Sequence, residues 1–158
     1  MDDIEVSGLP PDLEDWQALH SLLVSAFAAM DGRIDPPSSL TRMSVGDLRE
    51  KARTEFVVIA REGQRLVGCG FGSPSGHGLY LSKLAVDPAY QKRGVLRLML
   101  PLFESEARRL GLKDLELQTR LELTGNHAAF AALGFAKIAE TAHPGYDRPT
   151  SFTFRKPV

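Results

Sequence analysis

Four consecutive residues, Gln91, Lys92, Arg93 and Gly94, sit where an apolar, strand-like segment gives way to a helical one, in the stretch VDPAYQKRGVLRLML (residues 86–100). A helix that starts there turns its unpaired backbone N–H groups and the positive end of its dipole toward whatever lies in front. The natural guest of such a junction is a phosphate. Gly94 permits close approach of the backbone, and Lys92, Arg93 and Arg97 add charge-assisted bonds. The chemistry expected here is capture of a phosphate-bearing cofactor, with the rest of the chain presenting a second reactant to it.

Few other residues compete for that role. Cys69 is the only cysteine, which excludes an internal disulfide and a CxxC metal site. Gly68-Cys69-Gly70 lies in a strand-like run with no helix after it, so it is no dinucleotide fingerprint, and Cys69 reads as a small core residue. His20, His77, His127 and His143 lack ligand spacing with one another, so no metal site is expected. The formal net charge of −1 supplies no field that would draw the chain to nucleic acid or an anionic membrane. No apolar run approaches the ~20 residues of a membrane span. MDDIEVSG at the N-terminus has no basic or apolar region of the signal-peptide kind, so a cytoplasmic protein is expected.

The elements that must position the junction follow from periodicity. With 158 residues, 43% of them hydrophobic and 25% charged, the chain suits one soluble domain, residues 1–158. Residues 4–6 begin a strand that Gly8, Pro10 and Pro11 end. Asp12 can cap a helix with Glu14 and Asp15 in its first turn and Trp16, Leu19, Leu23, Phe27 and Met30 along one face. DGRIDPPSS is a loop, and a weaker helix fits residues 40–53, with Leu48 and Ala52 inward. EFVVIA and RLVGCGF, around Glu62-Gly63-Gln64, read as a hairpin. The glycines and serines of residues 70–78 then read as a flexible turn, and LYLSKLAV (residues 79–86) as a strand buried on both faces.

The long helix after Gly94 ends at Gly111 and carries Pro101, which lacks the N–H that would bond Arg97, so a bend is expected there. LELQT (residues 115–119) is the next strand, and the strand–helix–strand passage is a right-handed crossover between parallel strands. A short Ala-rich helix over residues 126–133 and a final pair, residues 135–141 and 151–155, flank HPGYDRPT. The order β-α-α-β-β-β-α-β-α-β-β is an α/β fold with a mixed sheet.

Three segments carry a family resemblance. LSKLAVDPAYQKRGVL is similar to a strand followed by a pyrophosphate loop of the form (Q/R)xxGx(G/A). Asn126-His127-Ala128-Ala129-Phe130 and then Leu133-Gly134-Phe135 are similar to the NxxxF…LGF run of a following helix. Together with the element order, they resemble the GNAT superfamily of acyl-CoA-dependent N-acyltransferases.

The resemblance implies that the backbone of Leu84, Ala85 and Val86 pairs with the pantetheine arm of acetyl-CoA. It implies that Gln91, Lys92, Arg93, Gly94, Val95, Leu96 and Arg97 wrap the pyrophosphate. Leu96 stands where the family usually has Gly or Ala, which predicts weakened or slightly shifted binding. Asn126 is expected to cap its helix and, by resemblance, to bond the pantetheine as well. Phe130 stands where many members carry a tyrosine that protonates the leaving thiolate; phenylalanine has no such proton, although it can still pack on the cofactor. The oxyanion donor implied is a backbone N–H near Leu84. Tyr80 matches the position of a glutamate base in some members, and could relay a proton through water. The loop holding His143, Tyr146 and Asp147 is expected to overhang the acceptor groove opposite the loop holding Asp35, which makes His143, Tyr146 and Asp147 candidates for substrate contact or proton transfer, with exposed turn residues as the alternative. These loops carry both signs of charge (Asp31, Arg33, Asp35, Asp147, Arg148), so they do not reveal the acceptor's charge.

The function implied is N-acetyl transfer from acetyl-CoA to a primary amine, small-molecule or peptide, by direct attack in a ternary complex without a metal. Neither nucleic acid nor membrane is an expected partner; a homodimer could form through an exposed final strand. Two alternatives stand beside this reading. One is a non-catalytic CoA-binding or ligand-sensing module, which Leu96 and Phe130 favour. The other is transfer of a bulkier acyl group.

Overall fold

The computed structural model describes residues 3–10, 13, 15–28, 33–36 and 42–158. Asp12, Glu14, Met30, Asp31 and Leu40 lie outside them. The described elements are β1 (Ile4–Gly8), α1 (Trp16–Ala28), α2 (Val45–Thr54), β2 (Phe56–Glu62), β3 (Arg65–Ser75), β4 (Gly78–Val86), α3 (Val95–Arg109), β5 (Asp114–Arg120), α4 (Thr124–Ala132), β6 (Ala136–Thr141) and β7 (Ser151–Pro157). The strands form one sheet in the order β1-β2-β3-β4-β5-β7-β6. Only β4 and β5 pair in parallel; the other described pairs are antiparallel.

Helices cover both faces of this sheet, which explains why β2 reads as an unbroken apolar run. Val58 and Ala60 pack with Met99 and Phe103 of α3 on one face. Val57 and Ile59 pack with Leu19, Leu23 and Leu48 of α1 and α2 on the other. Successive strand residues point to opposite faces, so two buried faces require apolar residues at every position.

The same geometry corrects the reading of residues 70–78 as a flexible turn. β3 continues to Ser75, and the turn is only Gly76-His77. Gly68, Gly70 and Gly72 alternate with Cys69 and Phe71 and leave the α3 face bare. A Cβ at Gly68 would stand 2.9 Å from Val95, and one at Gly70 would stand 3.0 Å from Phe103 and 2.6 Å from Leu84. These glycines let α3 lie close to the sheet.

Helix ends moved for local reasons. α1 begins at Trp16, and the Asp15 carboxylate accepts the Ala18 N–H at 2.9 Å in its first turn. α2 begins at Val45 rather than residue 40, because Ser44 and Asp47 form a reciprocal capping box. α3 runs unbroken through Pro101, whose ring is exposed. It ends on Gly111, where the Leu112 N–H reaches the Ala107 carbonyl at 2.8 Å. β6 is an edge strand exposed along its whole length. No described helix is long and apolar enough to cross a membrane.

Candidate active site

β4 is the centre of the site because it is irregular. Cys69 pairs with Ala85 and Phe71 with Ser82, so Lys83 and Leu84 together stand opposite Gly70. Such a bulge bends the strand, and Lys83 takes a φ of 50° within it. On the other edge, pairing with β5 stops at Leu81↔Leu117. Beyond that rung the two strands part, and the β5-facing backbone edge of residues 82–86 has no ladder there. An extended ligand that offers amide groups can complete it.

The cleft leads to the start of α3. The Asp87 carboxylate accepts the Ala89 N–H at 2.9 Å and turns the chain through a single 3₁₀ turn, Pro88–Tyr90. Lys92 and then Gly94 take positive φ, 68° and 79°. Gly94 is the α3 N-cap, and no atom lies within 4 Å of where its Cβ would be. The first intrahelical bond runs from the Leu98 N–H to the Gly94 carbonyl, 3.1 Å. The N–H groups of Val95, Leu96 and Arg97 therefore precede the helical ladder. They border a cavity of about 770 Å³ that also takes in Leu84, Ala85, Val86, Gln91, Lys92 and Gly94. Leu96 is half-buried, packs against the core and also lines this cavity.

Arg93 makes its described contacts within the protein. Its guanidinium donates to Glu62 Oε2 at 2.9 Å, and the Tyr90 hydroxyl donates to Glu62 Oε1 at 2.8 Å. Arg93 and Arg65 both lie over the Tyr90 ring, 4.7 and 5.0 Å from its centroid. The Tyr90 hydroxyl foremost, then Arg93, holds the Glu62 carboxyl below its ordinary range. This brace ties the loop to β2, and Arg33, Lys92 and Arg97 are cations that line the cavity.

A second cavity, of about 250 Å³, opens between the parted strands and meets the first at Phe27, Leu84, Leu123, Asn126 and Phe130. Its polar lining includes Tyr80, Lys83, Thr119, Arg120 and His143. Burial, then the charges of Lys51 and Arg120, push the Lys83 ammonium below its usual range. Burial first, then Arg120, lowers His143, which keeps its ring neutral at pH 7. Burial and then Glu116 raise the Tyr80 phenol, so it stays protonated and is ill-suited to act as a base.

The two loops expected to face each other do so. The Tyr146 hydroxyl donates to Asp35 Oδ1 at 2.6 Å, and Arg148 reaches Asp35 Oδ2 at 3.1 Å. Arg120 donates to the Pro36 carbonyl, and Glu122 accepts the Asp35 N–H at 3.3 Å. Asp147 is exposed and borders neither cavity.

α4 closes the junction. Its C-terminus explains Leu133-Gly134-Phe135 as a unit: Gly134 takes a φ of 99°, and the Phe135 N–H reaches the Phe130 carbonyl at 3.0 Å. The Phe135 ring packs edge-on to Phe130 with centroids 5.7 Å apart. Asn126 is not the cap. The helix starts two residues earlier, with Leu123 at the cap position and no side-chain cap bond, and Asn126 is exposed in the first turn at the meeting of the two cavities.

The sequence profile of the acetyltransferase (GNAT) family matches residues 16–135, most of the chain and all of this site except the β7-side loop. The protein belongs to the GNAT family. No curated protein sequence matches it. Its fold is similar to that of the PaiA N-acetyltransferase of Thermoplasma acidophilum, in complex with coenzyme A, at TM-score 0.82 and 15% identity over 99% of both chains. It is also similar to the ribosomal-protein-alanine N-acetyltransferase of Escherichia coli, at TM-score 0.71 and 19% identity over 98% of this chain and 94% of that one. A GNAT acetyltransferase of Elizabethkingia anophelis, with acetyl-CoA bound, gives TM-score 0.70 and 15% identity over the whole of both chains.

In this GNAT protein several site residues escaped the sequence reading. Lys83, Thr119, Arg120 and Leu123 all line the smaller cavity. LYLSKLAV carries no mark of a bulge, and Thr119 reads as one more β-branched strand residue. Among the described residues no cluster of His, Cys, Asp or Glu could hold a metal.

Proposed function

We propose that this GNAT protein transfers the acetyl group of acetyl-CoA to a primary amine, by direct attack within a ternary complex. The observation that carries the reading is the continuity of the open α3 start at Gly94, the β5-facing edge of β4 beyond the last rung at Leu81↔Leu117, and the polar cavity beyond Leu84. That shape fits a diphosphate, an amide-bearing arm and an amine in sequence. The backbone N–H groups of residues 95–97, with Lys92 and Arg97, hold the diphosphate, and Leu84, Ala85 and Val86 line the arm. Asn126 and Phe130 close over it. A backbone N–H near Leu84 is the oxyanion donor.

The acceptor enters the smaller cavity beside His143, under the Tyr146–Asp35 clasp. Lys83 and Arg120 disfavour an ammonium there, so they favour the neutral amine that attacks. His143, neutral at pH 7, is placed to take its proton, whereas Tyr80 lines the wall and Asp147 lies outside. An acyl-enzyme is not part of the mechanism: Cys69 is fully buried and its thiol is pushed up to about 12 by burial. Proximity and the oxyanion donor supply most of the acceleration.

Phe130 favours a second reading, a CoA-binding module without turnover, because it brings no proton to the leaving group. Calorimetry with acetyl-CoA, followed by free-thiol release with a panel of amines, separates the two. Binding with thiol release on at least one amine supports transfer; binding with no release on any amine supports the module. A competition between acyl-CoAs tests the acetyl group itself.

A further inference from the structure

Among the described residues, Thr119 carries a hydroxyl without a hydrogen-bond partner. The residue is 6% exposed, and its Oγ1 is buried with no hydrogen-bond partner. β5 alternates strictly around it: Leu115, Leu117 and Thr119 are buried, and Gln118 between them is exposed. Thr119 thus continues the face of Leu117, two residues beyond the last β4–β5 rung at Leu81↔Leu117. That places it on the bank of the cleft across from the bulge at Lys83 and Leu84. It lines the smaller cavity together with Leu84 and Phe130, two of the residues at which both cavities meet. A buried hydroxyl without a partner is rare in a native protein and points to a ligand that completes it.

Resting on the acetyl-transfer reading above, we propose that the Thr119 hydroxyl donates a hydrogen bond to the sulfur of coenzyme A as the thioester breaks. In the reaction the amine lone pair forms the C–N bond. The C–S bond breaks and its electron pair leaves on sulfur. The proton lost by nitrogen balances the one the thiol product gains. Thr119 keeps its own proton throughout and steadies the charge on sulfur. It supplies the polar contact to the leaving group that Phe130, an apolar ring, does not.

The test uses CoA itself, so no acceptor is needed. Calorimetry gives its affinity for the wild type, Thr119→Val and Thr119→Ser, and the ultraviolet absorbance of the thiolate, followed as pH is raised, gives the pKa of the bound thiol. Lys83, Arg120 and His143 also face this space and are unchanged in all three proteins, so the difference isolates the hydroxyl. Cys69, with its thiol near about 12, stays outside the titration window. The expected result is equal CoA affinity at a pH where the bound thiol is protonated, a thiol pKa about one pH unit higher in Thr119→Val, and a return to the wild-type value in Thr119→Ser. With a productive amine, kcat falls about tenfold in Thr119→Val while KM stays constant. Identical thiol titrations in wild type and Thr119→Val, both with CoA bound, would overturn this role and leave acetyl transfer standing. Failure of the wild type to bind CoA would overturn both.

Discussion

Replacing Thr119 by valine removes a buried hydroxyl that has no partner among the described residues while keeping the β-branched shape. The free protein is therefore expected to gain about 1 kcal/mol, seen as a rise in Tm of roughly 2–4 °C. A loss of stability in Thr119→Val would mean that the hydroxyl is satisfied in the free fold. His143 gives a prediction with a sign. Its folded pKa lies below the ordinary 6.5, so between the two values the unfolded chain binds more protons and stability rises with pH. Stability present above 6.5 is lost as pH falls through the folded value, and His143→Gln should flatten that slope in denaturant titrations at stepped pH. At this scale the sequence was legible where a residue acts through its backbone or its apolar body. Gly94, Gly134 and Cys69 are such cases. It was not legible for Thr119, because an orphaned hydroxyl depends on what fails to reach it.

The loop that leads into α3 is held as an element by the Glu62–Tyr90–Arg93 brace to β2. Glu62→Ala should raise the dissociation constant for acetyl-CoA about tenfold with little change in the unfolding midpoint, as read by calorimetry and thermal denaturation together. An unchanged affinity would show that the loop holds its shape without β2. The folded pKa of Glu62 lies below 4.5, so the brace is complete above that pH and is lost as pH falls through the lowered value. Strand and helix identities were readable because their periodicities are set by two-sided burial. The bulge at Lys83 and Leu84 was not, since nothing in LYLSKLAV interrupts the alternation and the cause lies in Gly70 across the ladder. Residues 70–78 were misread for a related reason. Glycine and serine signal turns locally, while here Gly70 and Gly72 answer to the approach of Phe103. The start of α4 was misplaced because Leu123 occupies the cap position without any capping side chain.

Across the whole molecule, a two-layer core and a parted sheet depend on each other. Leu84 tucks over Gly70 against α3, so the contact that packs the helix also sets the bulge that opens the cleft. Gly70→Val should cost about 1–3 kcal/mol by overpacking against Leu84 and Phe103, and it should weaken acetyl-CoA binding as well. A variant that lost stability but bound acetyl-CoA as tightly as the wild type would separate the core from the cleft. The overall fold could be read from the sequence because strand–helix–strand chirality and the order of elements leave few arrangements. The smaller cavity could not, because it is assembled from β4, β5, α4 and two distant loops.

The central claim is that the start of α3 receives the diphosphate of acetyl-CoA. Titrating acetyl-CoA by calorimetry into the wild type and into Gly94→Val tests it most directly. There is open space for the new side chain, but its φ of 79° is one a β-branched residue resists, so the change acts on the cradle itself. Saturable binding to the wild type, and its loss in a Gly94→Val protein that still unfolds cooperatively, is the predicted result. No heat with the wild type at millimolar ligand, or full affinity retained in the variant, would contradict it.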